Sequence, residues 1–510
     1  MNESPRSSLW LDRPRRGDAV YPPLGGNLSV DVAVVGGGIV GAAVAMLLAA
    51  KGQRVALLEG RELASGATGN STAKATVHTG TNFRGLIDAL GVEQARLVVD
   101  ADRAGLDFIR TWSIELGLGD AMRSVPGWAY TSTEAGRREL DLEREAAAAL
   151  GVDAWWADAD ELVFGTAALG VADQLLIEPK LLVEALVARA VEHGAHVHEH
   201  TRVRDVHGVG HSVELTLESD VTVTAASVVL ATQLPIIDRS MVFAASAFRR
   251  SHVVALAADD AFERAPHMYT GIDAGALSVR PALRTDGNGS VLVVAGNGHG
   301  LDEDEDGSHV DQLASDARAL TGGGDLEHAW LTHDVFPSDG RPFVGPLRAN
   351  ERIYIATGFA GWGLARGAAS ALAIAGHILR GHDRWEHQFD AQRLGAFLKP
   401  AAIKGGLKTA NALIADRLSV NPTTAVDELE QGRGTVVHHN GSSVAVARDQ
   451  AGELHAVSAT CTHLGCLVRH DAERGCWQCP CHGSRFTLQG EVLQGPATKP
   501  LAQVDVADLR

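Results

Sequence analysis

Residues 32–50, VAVVGGGIVGAAVAMLLAA, are nineteen residues without a charge. A membrane-spanning helix needs about 20 apolar residues, so the run is long enough to raise that reading. Four glycines inside it, three of them consecutive, argue against one continuous helix. The flanks give another answer. Residues 30–35 (VDVAVV) are a short β-branched run suited to a buried parallel strand. Gly36 to Gly41 make a turn, 39–51 a buried helix ending near Gly52, and 54–58 (RVALL) a second strand closed by Glu59. Together they read as a βαβ unit of about 30 residues.

The spacing Gly36-x-Gly38-x-x-Gly41 sits at the strand–helix turn. The first glycine permits the turn, the second admits a pyrophosphate against the backbone, and the third packs helix on strand. The helix N-terminus offers N–H groups and positive dipole to the phosphates. Glu59, 18 residues past Gly41, stands where a carboxylate binds ribose hydroxyls. A glycine-rich packing turn is the bland alternative, and it leaves Glu59 unexplained. Spacing alone does not separate NAD from FAD.

The remaining composition sets limits. A chain of 510 residues suggests two to four domains. With 45% hydrophobic and 21% charged residues it reads as soluble and globular. Its net charge of −18 repels phosphate backbones, and no basic, aromatic-laced stripe appears, so no nucleic-acid site is expected. The opening residues, MNESPRSSLWLDRPRRGDAVYPP, lack an apolar core after their basic residues. Neither a secretory leader nor an anchor helix is expected, and the location implied is cytoplasmic.

Along the chain, 85–118, 134–150 and 178–194 read as helices. Strands are expected near 195–206, 212–217 and 221–230, the last running into VVLATQLP. The segment 245–335 reads as mixed β, and 353–380 as strand, glycine turn and buried helix. Residues 386–425 read as a helical linker. Short strands and turns from 430 onward suggest a small β domain.

All five cysteines lie between 461 and 481, which suggests one metal site rather than a disulfide scaffold. Cys461-x-His463, fifteen residues, then Cys479-x-x-His482 is a Rieske-type ligand set: two thiolates hold one iron and two imidazoles the other. A structural zinc site uses the same ligand types, but with C-x₂₋₄-C and H-x₃₋₅-H pairs instead of mixed ones. CTHLGC, CPCHGS and GPATKPL (495–501) resemble Rieske proteins over about residues 430–510. In the cytochrome-complex type, that resemblance implies a disulfide between Cys466 and Cys481, leaving Cys476 as a free buried thiol. Phe486 stands where high-potential relatives often carry Tyr. Ser484 can still donate to a ligand sulfur, and fewer such donors lower the potential.

The N-terminal part resembles the FAD-dependent D-amino-acid-oxidase/glycine-oxidase-like oxidoreductases over about 28–385. The carriers are DVAVVGGGIVG, Glu59, ASGATGNSTAK (64–74), VVLATQLP, FPSDGRPFVGP (336–346) and YIATGFAGWGLARGAA (354–369). The resemblance implies FAD bound by Gly36, Gly38, Gly41, Glu59, Ser71, Thr72, Val203, Ala231, Thr232, Gly358, Gly361, Gly363 and Leu364. It brings Lys74 toward the flavin, where the bland reading is a solvated loop lysine. With no cysteine before 461, a cysteinyl flavin link is excluded. A histidyl link stays open, with His78 nearest, and non-covalent FAD is expected.

The expected fold is α/β plus β. A Rossmann-like FAD domain (about 28–100, 170–240, 336–385) follows an extension over 1–27. It carries an inserted mixed α+β substrate domain (about 101–169, 241–335). The linker 386–425 leads to an all-β Rieske [2Fe-2S] domain, 426–510. The resemblance implies oxidation of a C–N bond in an amino acid or N-alkyl amine, with electrons passing from FAD to the cluster and then to an external protein. Arg280 is the candidate carboxylate anchor, because guanidinium grips carboxylates bidentately. His299 is the candidate base, and Arg341 a further candidate. Reverse electron flow, or an electron-transfer module without its own small substrate, are the alternatives. His196, His198 and His200 alternate on one strand face but read as a polar edge, and DEDED (302–306) reads as a solvated loop.

Overall fold

The computed structural model describes residues 7–17, 19–237, 242–301, 308–399, 426, 429–472 and 474–509. Residues 302–306 and most of the expected linker, 400–425, lie outside them.

The charge-free run is a strand, turn and helix. Leu28–Val35 pairs in parallel with Val55–Leu58 on one side and Thr222–Leu230 on the other. The order in this eight-stranded sheet runs Phe343–Leu347, Asn350–Thr357, Thr222–Leu230, Leu28–Val35, Val55–Leu58, His196–His198. Val203–Val209 and Ser212–Leu217 extend it as an antiparallel ribbon on Thr222–Leu230. Helices Ile39–Ala49, Pro179–Glu192 and Gly363–Arg380 pack together over one face. Ile39–Ala49 is buried along almost its whole length, which accounts for its uniformly apolar sequence. His196 and His198 lie on the edge strand, and His198 Nδ1 sits 2.9 Å from the Pro22 carbonyl.

A second sheet of nine strands stands beside the first. It takes short Lys74–Ala75, then Ala167–Ile177 and Met122–Thr131, from the first half of the chain. Met268–Gly271, Ser278–Leu283, Ser290–Gly300, Ser246–Ala257 and Leu326–Pro337 come from the second. The two groups meet where Met268–Gly271 pairs in parallel with Met122–Thr131. Strands at 122–131 and within 154–177 were not expected from local pattern. MRSVPGWAYT carries a proline and a glycine that mask its period, and long-range pairing decides its state.

The C-terminal unit holds an antiparallel three-stranded sheet, Arg433–His439, Ser442–Arg448 and Leu454–Ser458. A four-stranded sheet follows: Arg469–Asp471, Cys476–Gln478, Arg485–Phe486 and Val492–Gln494. Trp477, Phe486 and Val457 are fully buried in its core. In the expected linker, Glu386–Phe389 and Leu394–Phe397 are single helical turns. Among the described residues, no helix is long and apolar enough to cross a membrane.

Candidate functional site

Two sites stand against each other. At the first, Gly36 has φ +107°, and a Cβ there would lie 2.6 Å from the Ala231 carbonyl oxygen. A Cβ on Gly41 would lie 1.9 Å from the Gly36 oxygen, and one on Gly38 3.0 Å from Thr68 Oγ1. That hydroxyl accepts from the Ile39 N–H at 3.1 Å and holds the helix start. The Glu59 carboxylate accepts from the Gly37 N–H at 2.6 Å and the Arg61 N–H at 2.8 Å, so it is fixed at the strand end beside the turn. These backbone positions tolerate no side chain, and they form a cradle that fits a dinucleotide.

A cavity of about 1500 Å³ opens over this cradle. Its wall includes every residue expected to touch FAD except Gly41, which sits behind the turn. Lys74 also lines it. Burial brings the Lys74 ammonium down to about 7, with the Arg280 charge adding to the effect. Its Nζ donates to the Tyr269 carbonyl at 3.2 Å, to Thr270 Oγ1 and to Ser278 Oγ. The loop-lysine reading therefore fails, since only 5% of the side chain's residue surface is exposed.

Four other candidates do not reach the cavity. Arg280 is buried, and its guanidinium donates to the carbonyls of Ala73, Ile177 and Pro281 while lying 5.0 Å from the Trp10 ring centroid. It braces the backbone and, lying outside the cavity wall, is not placed to anchor a substrate carboxylate. His299 sits behind the wall, its Nε2 3.2 Å from His252 Nε2 and its Nδ1 2.9 Å from the Gly300 carbonyl. His252, not His299, lines the cavity. Arg341 pairs with Asp339 at 3.0 Å and donates to the Gln388 carbonyl, away from the site. His78 turns its Nδ1 to the Gly127 carbonyl at 3.1 Å and is absent from the wall, so the geometry gives no support to a histidyl link.

The wall adds residues that motif reading missed. Arg249 and Ser251 both line it from the strand Ser246–Ala257. Their signal is the alternation in SAFRRSHVV, which puts them on one strand face. Asp334, half-buried at the cavity wall, is pushed up to about 6 by burial, against the pull of the Gly361 N–H. Nothing local marks it: its burial comes from the packing of Leu326–Pro337 against the turn at 358–361.

At the second site, two tight loops present the ligand set. Cys461 N–H bonds Cys466 O, and Gly465 N–H bonds Cys461 O. Cys479 N–H bonds Ser484 O, and Gly483 N–H bonds Cys479 O. Gly465 and Gly483 take φ +82° and +77° to close these turns. Cys461 and Cys479 are buried free thiols on the two loops. The neighbouring Cys479 thiol, then the backbone N–H groups of His463 and Leu464 and the Ser484 hydroxyl, pull the Cys461 thiol below its usual range. The His463 and His482 rings lie 5.0 Å apart at 87°. His463 Nδ1 and Nε2 and His482 Nδ1 are buried with no hydrogen-bond partner among the described residues. Adjacent thiols and orphaned imidazole nitrogens are a donor set that fits a mixed Cys/His iron site. Cys466 and Cys481 form the disulfide, tying the two loops together, and Cys476 is a buried thiol.

The two sites share a wall. Both histidine rings lie edge-on to Phe243, at 4.6 and 5.0 Å, and His482 also meets Phe248 at 5.3 Å. Arg485, Gln494 and Ala497 of the C-terminal unit line the same cavity as Gly36. Gln494 Nε2 lies 3.1 Å from His333 Nδ1, and Arg250 Nε donates to His333 Nε2 at 2.7 Å.

Comparison with known proteins agrees with this division. The family described as FAD dependent oxidoreductase matches residues 31–376, and the Rieske [2Fe-2S] domain matches 419–505. A Bacillus subtilis protein named as the Rieske 2Fe-2S iron-sulfur protein YhfW is 30% identical over 494 residues, 95% of each chain. The cytochrome b6-f complex iron-sulfur subunit of Chlorobaculum tepidum is 32% identical over 157 residues, 28% of this chain and 84% of that one. Among solved structures, glycine oxidase from Geobacillus kaustophilus superposes with a TM-score of 0.59 at 18% identity, covering 72% of this chain and 99% of its own. L-proline dehydrogenase from P. horikoshii gives 0.59 at 17%, covering 72% and 98%. L-amino acid deaminase from Proteus vulgaris gives 0.58 at 14%, covering 74% and 100%. At these identities the structures establish the fold.

Proposed function

The chain belongs to the FAD-dependent oxidoreductase family and carries a Rieske [2Fe-2S] domain on the same polypeptide, and from that premise we propose that it is a dehydrogenase for the C–N bond of an amino acid or N-alkyl amine. FAD supplies a two-electron acceptor and the cluster a one-electron relay to an external acceptor protein. The observation that carries the reading is the shared wall: both histidine ligands rest on Phe243, and the cluster domain completes the flavin cavity. An exit for electrons beside the flavin favours a dehydrogenase over an oxidase.

Within that reading the chain's own residues bind and prepare the substrate. Of the five arginines on the wall, Arg249 is the one we assign to a carboxylate, because it lies on the strand Ser246–Ala257 and no carboxylate pairs with it among the described residues. Lys74, brought down to about 7, can hold the ammonium proton that must leave before the C–N bond is oxidised. Solved neighbours bearing the names glycine oxidase, L-proline dehydrogenase and L-amino acid deaminase support the substrate class. A cytoplasmic location is part of the proposal and is checked by cell fractionation.

The test is an anaerobic panel of amino acids and N-methylated amines, with flavin absorbance and cluster EPR followed together. One amine should bleach the flavin, after which the reduced cluster signal grows. If no amine does so, yet a reduced ferredoxin fills the cluster and then the flavin, electrons run the other way and the substrate class is wrong.

A further inference from the structure

The segment 7–16 precedes the first strand and lies outside the residues matched by the flavoprotein family. It is nonetheless built into the cofactor site. Leu9 and Trp10 are fully buried in the main core, while Ser7, Ser8 and Leu11 line the flavin cavity. We propose that this segment is a strap that sets the loop 69–74 in its FAD-binding shape, and that Trp10 is its positioning residue.

The loop's carbonyls carry the argument. Ser8 Oγ donates to Gly69 O, Trp330 Nε1 to Asn70 O at 3.0 Å, Trp10 Nε1 to Ser71 O at 2.8 Å, and Arg280 Nη1 to Ala73 O. Four carbonyls within five residues are thus held by side chains from outside the loop. Ala73 adopts φ +57°, a left-handed conformation that costs a non-glycine residue about 1 kcal/mol or more and persists only where its surroundings enforce it. Trp10 lies on the Arg280 guanidinium, so the strap supports both the loop and the residue that holds Ala73. With its carbonyls engaged elsewhere, the loop leaves the Thr72 N–H without an acceptor among the described residues, and Thr72 lines the cavity. The strap is itself anchored. Arg13 Nε meets Glu178 at 2.8 Å, Lys180 Nζ donates to Arg13 O at 2.7 Å, and Arg15 grips Glu199 through two bonds of 2.7 and 2.8 Å. Glu199 in turn accepts from the Leu63 N–H at the head of the same loop region.

The test uses full-length protein stripped of flavin and titrated with FAD, reading flavin fluorescence. Trp10→Phe keeps an aromatic ring in the core and removes the N–H to Ser71 O together with part of the buried ring. It should weaken FAD binding roughly five-fold, the size of one net hydrogen bond. The lost ring volume should also lower apoprotein melting, while the cluster's EPR signal stays near wild type. A purely structural strap predicts the lower melting temperature with unchanged FAD affinity, and that result overturns the proposal. If Trp10→Phe does not fold, Ser8→Ala removes the bond to Gly69 O and is read in the same way. Should wild-type protein itself hold no FAD, the cofactor assignment fails, not the strap alone.

Discussion

The two cofactor regions are built on opposite plans. The four residues proposed as cluster ligands come from two loops within 22 residues, and each loop closes its own turn through a positive-φ glycine. The flavin cavity draws its wall from Ser7 to Thr498, across three sheets and both domains. A site folded from adjacent residues is fixed by spacing, whereas a site gathered across a chain is fixed by packing. The first kind should fail completely and alone when one ligand goes, and the second by degrees.

The largest separation is expected from the cluster side. Cys479→Ser removes a thiolate ligand and should abolish bound iron and the EPR signal, while FAD content stays at wild-type level. If FAD is lost as well, the two regions are not independent folding units. The converse change is Gly41→Ala, whose new Cβ would lie 1.9 Å from the Gly36 carbonyl oxygen. FAD affinity should fall at least tenfold, in line with overpacking costs of about 1–3 kcal/mol, with the cluster signal retained.

Legibility followed the same division. The Gly36–Gly41 turn, Glu59 at the strand end and the two cysteine–histidine loops stand out in the sequence because each is made of residues close along the chain. The disulfide and the flavin segments at 228–235 and 336–369 were readable only through resemblance. Arg280 and His299 misled, because LSVRPA and AGNGHG show a charged or imidazole side chain on a strand without showing which way the strand faces. Arg280 faces Ala73 and Trp10, and His299 faces His252. The parallel pairing of Met268–Gly271 with Met122–Thr131 left no local trace, since its partners lie about 140 residues apart, and Asp334 left none because the turn at 358–361 packs on it only in the fold.

A third expected effect lies within the cluster region. Cys466→Ser opens a disulfide spanning 15 residues, a loop for which chain entropy gives about 3 kcal/mol. The temperature at which the cluster bleaches should drop, while the temperature of flavin release should not. A common shift of both would mean that the shared wall couples them thermally.

A fourth effect concerns Lys74. Its ammonium is penalised by burial, so between about pH 7 and 10.5 the folded chain has released a proton that the unfolded chain still holds. The unfolded state binds more protons there, so apoprotein stability should rise with pH through that window and gain nothing from this group below it. Denaturant melts of Lys74→Met at pH 7 and 9.5 should lack that part of the rise. An unchanged rise would place the lysine in solvent.

The central claim is that the flavin and the cluster of one chain form one electron path through the wall at Phe243. It is tested most directly by reducing the flavin photochemically without oxygen and timing the appearance of the reduced cluster over a wide range of protein concentration. The account predicts a single first-order rate independent of concentration and slower in Phe243→Ala at unchanged cofactor content. A cluster that stays oxidised beside reduced flavin, or a rate that climbs with concentration, would contradict it.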